Sequence, residues 1–180
     1  MKFAEAAVLI NNNMSGLAAI AEREPHPIFK MFALFWNYEG ESVGTMTDDL
    51  MAEKMADFDA SGIDPSQLVV ISFNAEVIRD VEKARPELKT YYLCSPKHAN
   101  IEKLIRLARV IGTDGINGSA SKEFDESVIA QIRAAGLAVY VWTIDDEKTI
   151  RRYADLGVDG ITTNKPGFAK SVLASQRKQQ

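Results

Sequence analysis

The sequence predicts an α/β fold in which parallel strands alternate with helices to form a (β/α) barrel of the TIM type. Five short β-rich runs are each followed by a segment with helical spacing. Residues 69–71 and 139–141 are continuous apolar runs, as parallel strands covered by helices usually are. No glycine-rich dinucleotide-binding turn follows the first run, which favours a barrel over an open doubly wound sheet. The five runs are residues 68–73, 90–93, 115–117, 138–143 and 160–163.

The predicted helices begin and end at suitable residues. Asn74 is placed to cap the helix after the first of these strands, and Pro86 is placed to end it. Asp145 or Asp146 is placed to cap a later helix, which ends where Gly157 can adopt a left-handed conformation. These local signals support the assignment of repeated βα units.

Upstream of residue 48 the pattern is weaker. Residues 6–10 are a candidate strand, and residues 28–38 hold a strand-like apolar stretch whose register the pattern does not fix. The barrel is therefore predicted to be incomplete, with about six or seven of the eight strands of a full barrel. We predict one domain, in which residues 1–47 form an N-terminal segment, residues 48–175 form the βα units and residues 176–180 are a frayed tail.

The composition argues against several classes of function. The balance of 21 Lys and Arg against 25 Asp and Glu gives a net charge of -4, which offers no field for nucleic acid or an anionic membrane. Cys94 is the only cysteine, which fits a reducing compartment. No stretch is long and apolar enough to span a membrane, and Glu5 interrupts the N-terminal apolar run, so no signal peptide is predicted. We expect a soluble cytoplasmic chain, unless a segment upstream of Met1 carries an export signal.

Polar residues stand at the ends of all five clear strands, where a parallel barrel presents side chains to its substrate. Taken one by one, these residues could simply cap the helices that follow. Their clustering at the same end of five strands instead favours a shared pocket. The cluster consists of Ser72, Phe73 and Asn74, then Cys94 and Ser95, Asn117 and Gly118, Trp142 and Thr143, and residues 162–165.

The loop after the last strand has the features of an anion site. Asn164, Lys165, Pro166 and Gly167 lie between a strand end and the first turn of a helix, where free N–H groups and the helix dipole favour negative charge. Lys165 adds a positive charge, although it could equally be a solvated loop lysine. TIM barrels frequently bind phosphate at the loops after their last two strands. Phosphate is therefore the predicted ligand of this loop.

Trp142 is the second predicted ligand contact. Its ring offers a flat apolar wall for glycerol or a similar small alcohol, and its indole N–H can donate one hydrogen bond. The alternative is a rim tryptophan that only fills the top of the barrel.

Three blocks of the sequence resemble the glycerophosphodiester phosphodiesterase family. Residues 68–79 resemble the family's strand that ends in Ser-Phe, together with its following helix. Residues 139–146, VYVWTIDD, resemble its Trp-Thr strand with an acidic helix start. Residues 156–166, LGVDGITTNKP, are similar to its closing strand, and the intervening residues 90–96 and 114–117 fit two weaker strands.

The resemblance implies an enzyme of lipid metabolism that hydrolyses glycerophosphodiesters to an alcohol and glycerol 3-phosphate. It also implies a bound divalent cation, Ca²⁺ or Mg²⁺, and a pair of histidines that act as acid and base. The residues expected to bind substrate are Phe73, Trp142, Thr143, Asn164 and Lys165, with Ser72 and Asn117 as weaker candidates.

The family's metal and acid–base motifs have no counterpart in this sequence. The opening His-Arg-Gly, the Glu-x-Asp pair and the following His-Asp are not found, and His26 and His98 stand in other contexts. The family's Glu-x-Lys strand should fall within residues 28–38, where neither register retains the carboxylate. Glu39 is the weak candidate for a metal ligand. Catalytic residues are therefore unassigned, and the chain is predicted to be truncated or degenerate in its metal and acid–base half.

Two functions follow from this pattern. The first is a chain of the phosphodiesterase family that keeps the substrate-binding wall and turns over little or nothing. The alternative is a non-catalytic phosphate-ester-binding or assembly module, in which a second copy or a partner supplies the missing strands. An open barrel edge is adhesive and would favour a homo-oligomer. In both cases the expected ligand is a small phosphorylated alcohol or a glycerophosphodiester.

Overall fold

The described part of the chain contains seven strands, five α-helices with defined bounds and a short 3-10 helix, Pro65–Gln67. The computed structural model describes residues 5–11, 30–34, 55–56, 59–60, 64–96 and 100–177, with the backbone alone in the first two segments. The strands are β1 Glu5–Asn11, β2 Lys30–Leu34, β3 Leu68–Ser72, β4 Lys89–Cys94, β5 Gly115–Ser119, β6 Ala138–Trp142 and β7 Gly160–Thr163. The helices are α1 Ala75–Ala84, α2 Ile101–Ile111, α3 Glu126–Ala134, α4 Glu147–Asp155 and α5 Pro166–Arg177.

The strands form a parallel barrel. Consecutive strands pair in chain order, each pair is parallel, and β7 pairs with β1. Because β3 to β7 are parallel and each is followed by one helix, their carboxyl ends lie at one rim. The predicted (β/α) barrel of TIM type is thus confirmed, and the seven described strands agree with a count one short of eight. The predicted strands at residues 6–10 and 28–38 correspond to β1 and β2.

The pairing of β1 with β7 corrects one expectation. The sequence predicts an open barrel edge, but β1 pairs with β2 on one side and with β7 on the other. The described strands therefore form a closed ring without an exposed edge strand. The physical reason is that β1, for which the sequence provides only a weak pattern, supplies the partner for β7. The oligomeric state itself stays a prediction.

The barrel has an apolar interior and an apolar layer under the helices. Successive side chains of a strand point to opposite faces, so the two layers alternate along each strand. In β6, for example, Tyr140 packs inside the barrel, whereas Val139 and Val141 pack against the helices. The interior cluster consists of Val69, Ile71, Tyr91, Leu93 and Tyr140.

Two tyrosines pack in the half of the barrel opposite the rim. The rings of Tyr91 and Tyr140 stack with their centroids 4.3 Å apart. A Cβ atom at Gly115 would lie 2.9 Å from the ring of Tyr91, and one at Gly160 would overlap the ring of Tyr140. Both strands begin with glycine because no side chain fits beside the ring of Tyr140 at Gly160, or at Gly115 beside the ring of Tyr91 and the backbone carbonyl oxygen of Ala138, which would lie 2.5 Å from a Cβ atom.

The helix caps agree with the local signals in the sequence. The side chain of Asn74 accepts a hydrogen bond from the Glu76 N–H at the start of α1. Of the two candidates for α4, Asp146 is the cap and accepts from the Thr149 N–H. Gly157 adopts a φ of 70° after α4. None of the helices in the described ranges is long and apolar enough to cross a membrane.

Candidate functional site

The rim of the barrel is built from inward-facing residues at the carboxyl ends of β3 to β6. Inward positions recur at every second residue, so Ile71 of β3 leads to Phe73 and Tyr140 of β6 leads to Trp142. By the same alternation, Leu93 of β4 leads to Ser95, and Asn117 of β5 leads to Ser119. The inward rim residues are Phe73, Ser95, Ser119 and Trp142.

Phe73 and Trp142 form an aromatic wall on one side of the rim. Their rings meet edge to face, with centroids 5.5 Å apart and an interplanar angle of 87°. The indole Nε1–H of Trp142 donates a hydrogen bond of 2.9 Å to the backbone carbonyl of Asn117. This corrects the expectation that the indole N–H is available to a ligand, because the neighbouring strand already accepts it. What remains for a ligand is the apolar surface of the two rings, and Phe73 is 41% exposed.

Two serine hydroxyls lie on another part of the rim. Ser119 Oγ is 3.4 Å from Ser95 Oγ, and Ser119 pairs in register with Trp142. Ser119 is absent from the predicted cluster because the sequence indicates a strand that ends at Asn117. Since inward positions recur at every second residue of a strand, Asn117 is the signal that identifies Ser119 as the next inward-facing residue.

Asn117 and Thr162 lie one layer below the rim and are fully buried. The Asn117 Nδ2 donates to Thr162 Oγ1 at 3.0 Å, while Asn117 Oδ1 has no hydrogen-bond partner among the described residues. Exchanging the amide oxygen and nitrogen would leave the nitrogen unpaired instead. Either orientation of the amide therefore has one atom without a hydrogen-bond partner among the described residues. An unsatisfied buried polar atom costs about 1–3 kcal/mol. Asn117 is therefore a place where a further polar group would be stabilised.

Asp145 fastens the loop after β7 to the loop after β6. Its carboxylate accepts hydrogen bonds from Thr163 Oγ1, from the Asn164 N–H and from the Asn164 side-chain amide, each at 2.8 Å. Partial burial acts to raise the pKa of Asp145, but these hydrogen bonds and the charge of Lys165 outweigh it, so the pKa lies below its ordinary value. Asp145 is therefore ionised at neutral pH and holds the two loops as one unit.

The same contacts change how the last loop can bind an anion. The Asn164 N–H is bound by Asp145, the Lys165 N–H donates to Thr163 Oγ1 at 3.0 Å, and Pro166 has no N–H. The groups left for an anion are the Lys165 side chain, which is exposed, and the N–H groups of the next residues of α5, which have no intrahelical acceptor. An anion would thus sit closer to Gly167 than the sequence suggests.

Several residues of the predicted cluster face away from the rim. Ser72 is buried, and its hydroxyl accepts a hydrogen bond from the Asn74 N–H at 3.0 Å. Cys94 packs in the layer under the helices, where burial raises its pKa to about 12. A Cβ atom at Gly118 would lie 2.8 Å from the ring of Phe124, so this residue also faces the helices. Thr143 follows Trp142 and is exposed.

The described residues do not fit the divalent cation that the resemblance implies. In the ranges 64–96 and 100–177, no three His, Cys, Asp or Glu side chains lie close enough together to hold a metal. Asp145, a carboxylate of the rim loops, is already bound by three hydrogen bonds. The candidate ligand Glu39, together with His26 and His98, lies outside the described residues. No chemical step is therefore assigned to a metal.

Comparison with known proteins gives the barrel a family. Residues 18–168 match the model of the Glycerophosphoryl diester phosphodiesterase family. The chain is 29% identical over 114 residues to the glycerophosphodiester phosphodiesterase of Bacillus subtilis (strain 168). This match covers 60% of this chain and 37% of the Bacillus protein. The chain thus spans little more than a third of the length of this relative.

Solved structures share the fold. A putative glycerophosphoryl diester phosphodiesterase from Agrobacterium tumefaciens matches with a TM-score of 0.76 at 19% identity, over 92% of this chain and 64% of that one. A phosphodiesterase from Oleispira antarctica, in complex with the product sn-glycerol-3-phosphate, matches with a TM-score of 0.64 at 17% identity. That match covers 81% of this chain and 55% of the Oleispira chain.

Proposed function

The chain belongs to the glycerophosphoryl diester phosphodiesterase family, and we propose that its rim binds glycerophosphodiesters and their product glycerol 3-phosphate. The reaction class is the hydrolysis of a phosphoric diester to an alcohol and glycerol 3-phosphate. One observation supports this proposal above the others. The chain belongs to a phosphodiesterase family, and the carboxyl ends of its barrel strands combine an aromatic wall, hydroxyl groups and an exposed lysine.

Each part of the ligand has a matching surface. The C–H groups of glycerol pack against the rings of Phe73 and Trp142. The phosphate lies at the start of α5, where the Lys165 ammonium and the first N–H groups of the helix stabilise negative charge. Asn164 positions this loop through its contact with Asp145.

Turnover needs groups that the described residues do not supply. Hydrolysis of a phosphodiester requires a group that activates water and an acid that protonates the leaving oxygen. The family's histidine and carboxylate motifs are not found in this sequence. We therefore propose that the chain by itself binds the phosphorylated alcohol and hydrolyses diesters slowly or not at all.

The alternative is a non-catalytic phosphate-ester-binding module, which uses the same rim. The lack of the family's histidine and carboxylate motifs in the sequence favours this alternative. The assembly variant of this idea depends on an open barrel edge, and the described strands form a closed ring. Turnover therefore separates the two functions better than oligomeric state does.

Two measurements on the purified chain test the proposal. Binding of sn-glycerol 3-phosphate is followed by titration calorimetry, and hydrolysis of glycerophosphocholine is followed with Ca²⁺ or Mg²⁺, with and without a chelator. We expect binding that weakens several-fold in Lys165→Gln, with little turnover. Metal-dependent hydrolysis that stops on chelation would show that the catalytic half is intact. If the chain neither binds sn-glycerol 3-phosphate nor hydrolyses the diester, the proposed function is wrong.

A further inference from the structure

We infer that Asn117 and Ser119 of β5 determine specificity by binding hydroxyl groups of the ligand. The site would then prefer phosphate esters of a polyol to phosphate esters of a simple alkyl alcohol. This inference rests on the proposed function, namely that a phosphorylated alcohol binds at this rim.

The first observation is the unpaired amide atom of Asn117. Burial without a partner is unfavourable, and buried side-chain amides in proteins are nearly always hydrogen-bonded to protein, water or ligand. Among the described residues, the interior cluster of Val69, Ile71, Tyr91, Leu93 and Tyr140 is aliphatic and aromatic, and none of these side chains is a hydrogen-bond partner of Asn117 Oδ1. A ligand hydroxyl, acting directly or through a bound water, is the kind of group that completes this amide.

The second observation is the position of Ser119 relative to Asn117. The two residues lie two positions apart on β5, so their side chains point to the same face, roughly 7 Å apart along the strand. Ser119 is half-buried at the rim, and its hydroxyl approaches that of Ser95 at 3.4 Å. A hydroxyl both donates and accepts, which matches the hydroxyl groups of a polyol. β5 therefore presents a row of hydrogen-bonding groups that leads from the rim into the barrel.

The third observation is that the aromatic wall lies next to this polar row. Ser119 pairs in register with Trp142, and the backbone carbonyl of Asn117 holds the indole through its N–H. A polyol has C–H groups on its carbon chain and hydroxyls along one edge, so it can use both surfaces at once. An alkyl phosphate can use only the aromatic wall, and it would leave the β5 groups without partners.

A purely structural role for Asn117 makes a different prediction. In that case Asn117 contributes only its hydrogen bond to Thr162. Loss of this bond should lower the free energy of unfolding and leave the ligand preference unchanged. The double variant Asn117→Leu with Thr162→Val should retain stability under either role, because both polar partners are removed together. The preference for a polyol should fall in this variant only if Asn117 binds the ligand.

The test measures the ratio of the dissociation constants of ethyl phosphate and sn-glycerol 3-phosphate by titration calorimetry. Loss of one hydrogen bond corresponds to about a five-fold change in affinity. We expect the wild-type protein to prefer sn-glycerol 3-phosphate by at least five-fold. Ser119→Ala should reduce this ratio by about five-fold, and the double variant should do so as well. Binding of ethyl phosphate should change little in either variant.

Ser127→Ala, on the exposed face of α3, serves as the matched serine control and should leave the ratio unchanged. If the wild-type protein binds the two phosphates equally well, the inference is wrong while the proposed function stands. An unaltered ratio in Ser119→Ala would also contradict the inference. Because Ser119 lies at the rim and not in the barrel interior, this variant keeps the test possible even if the double variant does not fold. Binding of neither phosphate would overturn the inference together with the proposed function.

Discussion

Both carboxylate oxygens of Asp145 are bound by Asn164, one by its backbone N–H and the other by its side-chain amide, each at 2.8 Å. The two residues lie on different loops, one after β6 and one after β7. This contact fixes the position of the loop that carries Lys165, and with it the phosphate site that we propose.

Replacing Asp145 should loosen this loop. Asp145→Ala removes three hydrogen bonds to a carboxylate, and we expect it to lower the free energy of unfolding by about 1–2 kcal/mol. It should also weaken sn-glycerol 3-phosphate binding several-fold. Urea denaturation and calorimetry measure the two effects. The adjacent variant Asp146→Asn is the control, because asparagine also caps helices and should leave both quantities nearly unchanged. Equal effects of the two variants would show that the contact with Asn164 has no special role.

The Asp145 carboxylate should make stability depend on pH on the acid side. Its pKa is lower in the folded protein than in the unfolded chain. Its contribution is therefore present above the unfolded pKa of about 3.9 and is lost as the pH falls through the folded value. We expect the unfolding free energy of the wild-type protein to fall more steeply below about pH 4 than that of Asp145→Asn. Parallel curves for the two proteins between pH 3 and 6 would contradict this assignment.

Glu82 should have the opposite pH dependence at the other end of the barrel. Burial raises the pKa of Glu82, a hydrogen bond from Thr90 acts against this, and the nearby Asp114 adds to the rise. Its contribution to stability is therefore full below the unfolded pKa of about 4.3 and is lost as the pH rises through the folded value. We expect Glu82→Gln to be as stable as the wild-type protein or more so at pH 7. A variant that is much less stable at pH 7 and equal at pH 4 would refute this sign.

Gly160 should not tolerate a side chain. A Cβ atom there would overlap the ring of Tyr140, and overpacking of a core typically costs about 1–3 kcal/mol. We expect Gly160→Ala to lower the unfolding free energy by this amount or more, as measured by urea denaturation. Gly167→Ala provides the comparison, because its Cβ would meet no atom within 4 Å. Similar stability of the two variants would mean that Tyr140 can move away from Gly160 at little cost.

Local features of the sequence predict much of the barrel. The strands β3 to β7 and the cap at Asn74 follow from short-range patterns that tertiary packing did not override. The main difference within the rim is Ser119, since Asn117 and Gly118 lack the β propensity that marks a strand, although β5 continues to Ser119. Pairing with β4 and β6 stabilises that strand, and no single-strand pattern reports such pairing.

The contacts that define the site are less predictable because they join residues far apart in the sequence. The acceptor of the Trp142 indole is a backbone carbonyl on the neighbouring strand, and a backbone atom leaves no sign in the sequence. Asp145 and Asp146 are equally good candidates for a helix cap. Only the position of Asn164, 19 residues away, assigns one of them to the loop contact.

The pairing of β1 with β7 has a consequence for how the molecule folds. Of the described strands, β1 is synthesised first, and it acquires one of its two neighbours only when β7 has been made. Such a long-range closure is entropically costly and tends to slow folding. Until synthesis passes Thr163, the nascent chain has an unpaired strand at each end of a curved sheet, and this is when it is most vulnerable to aggregation.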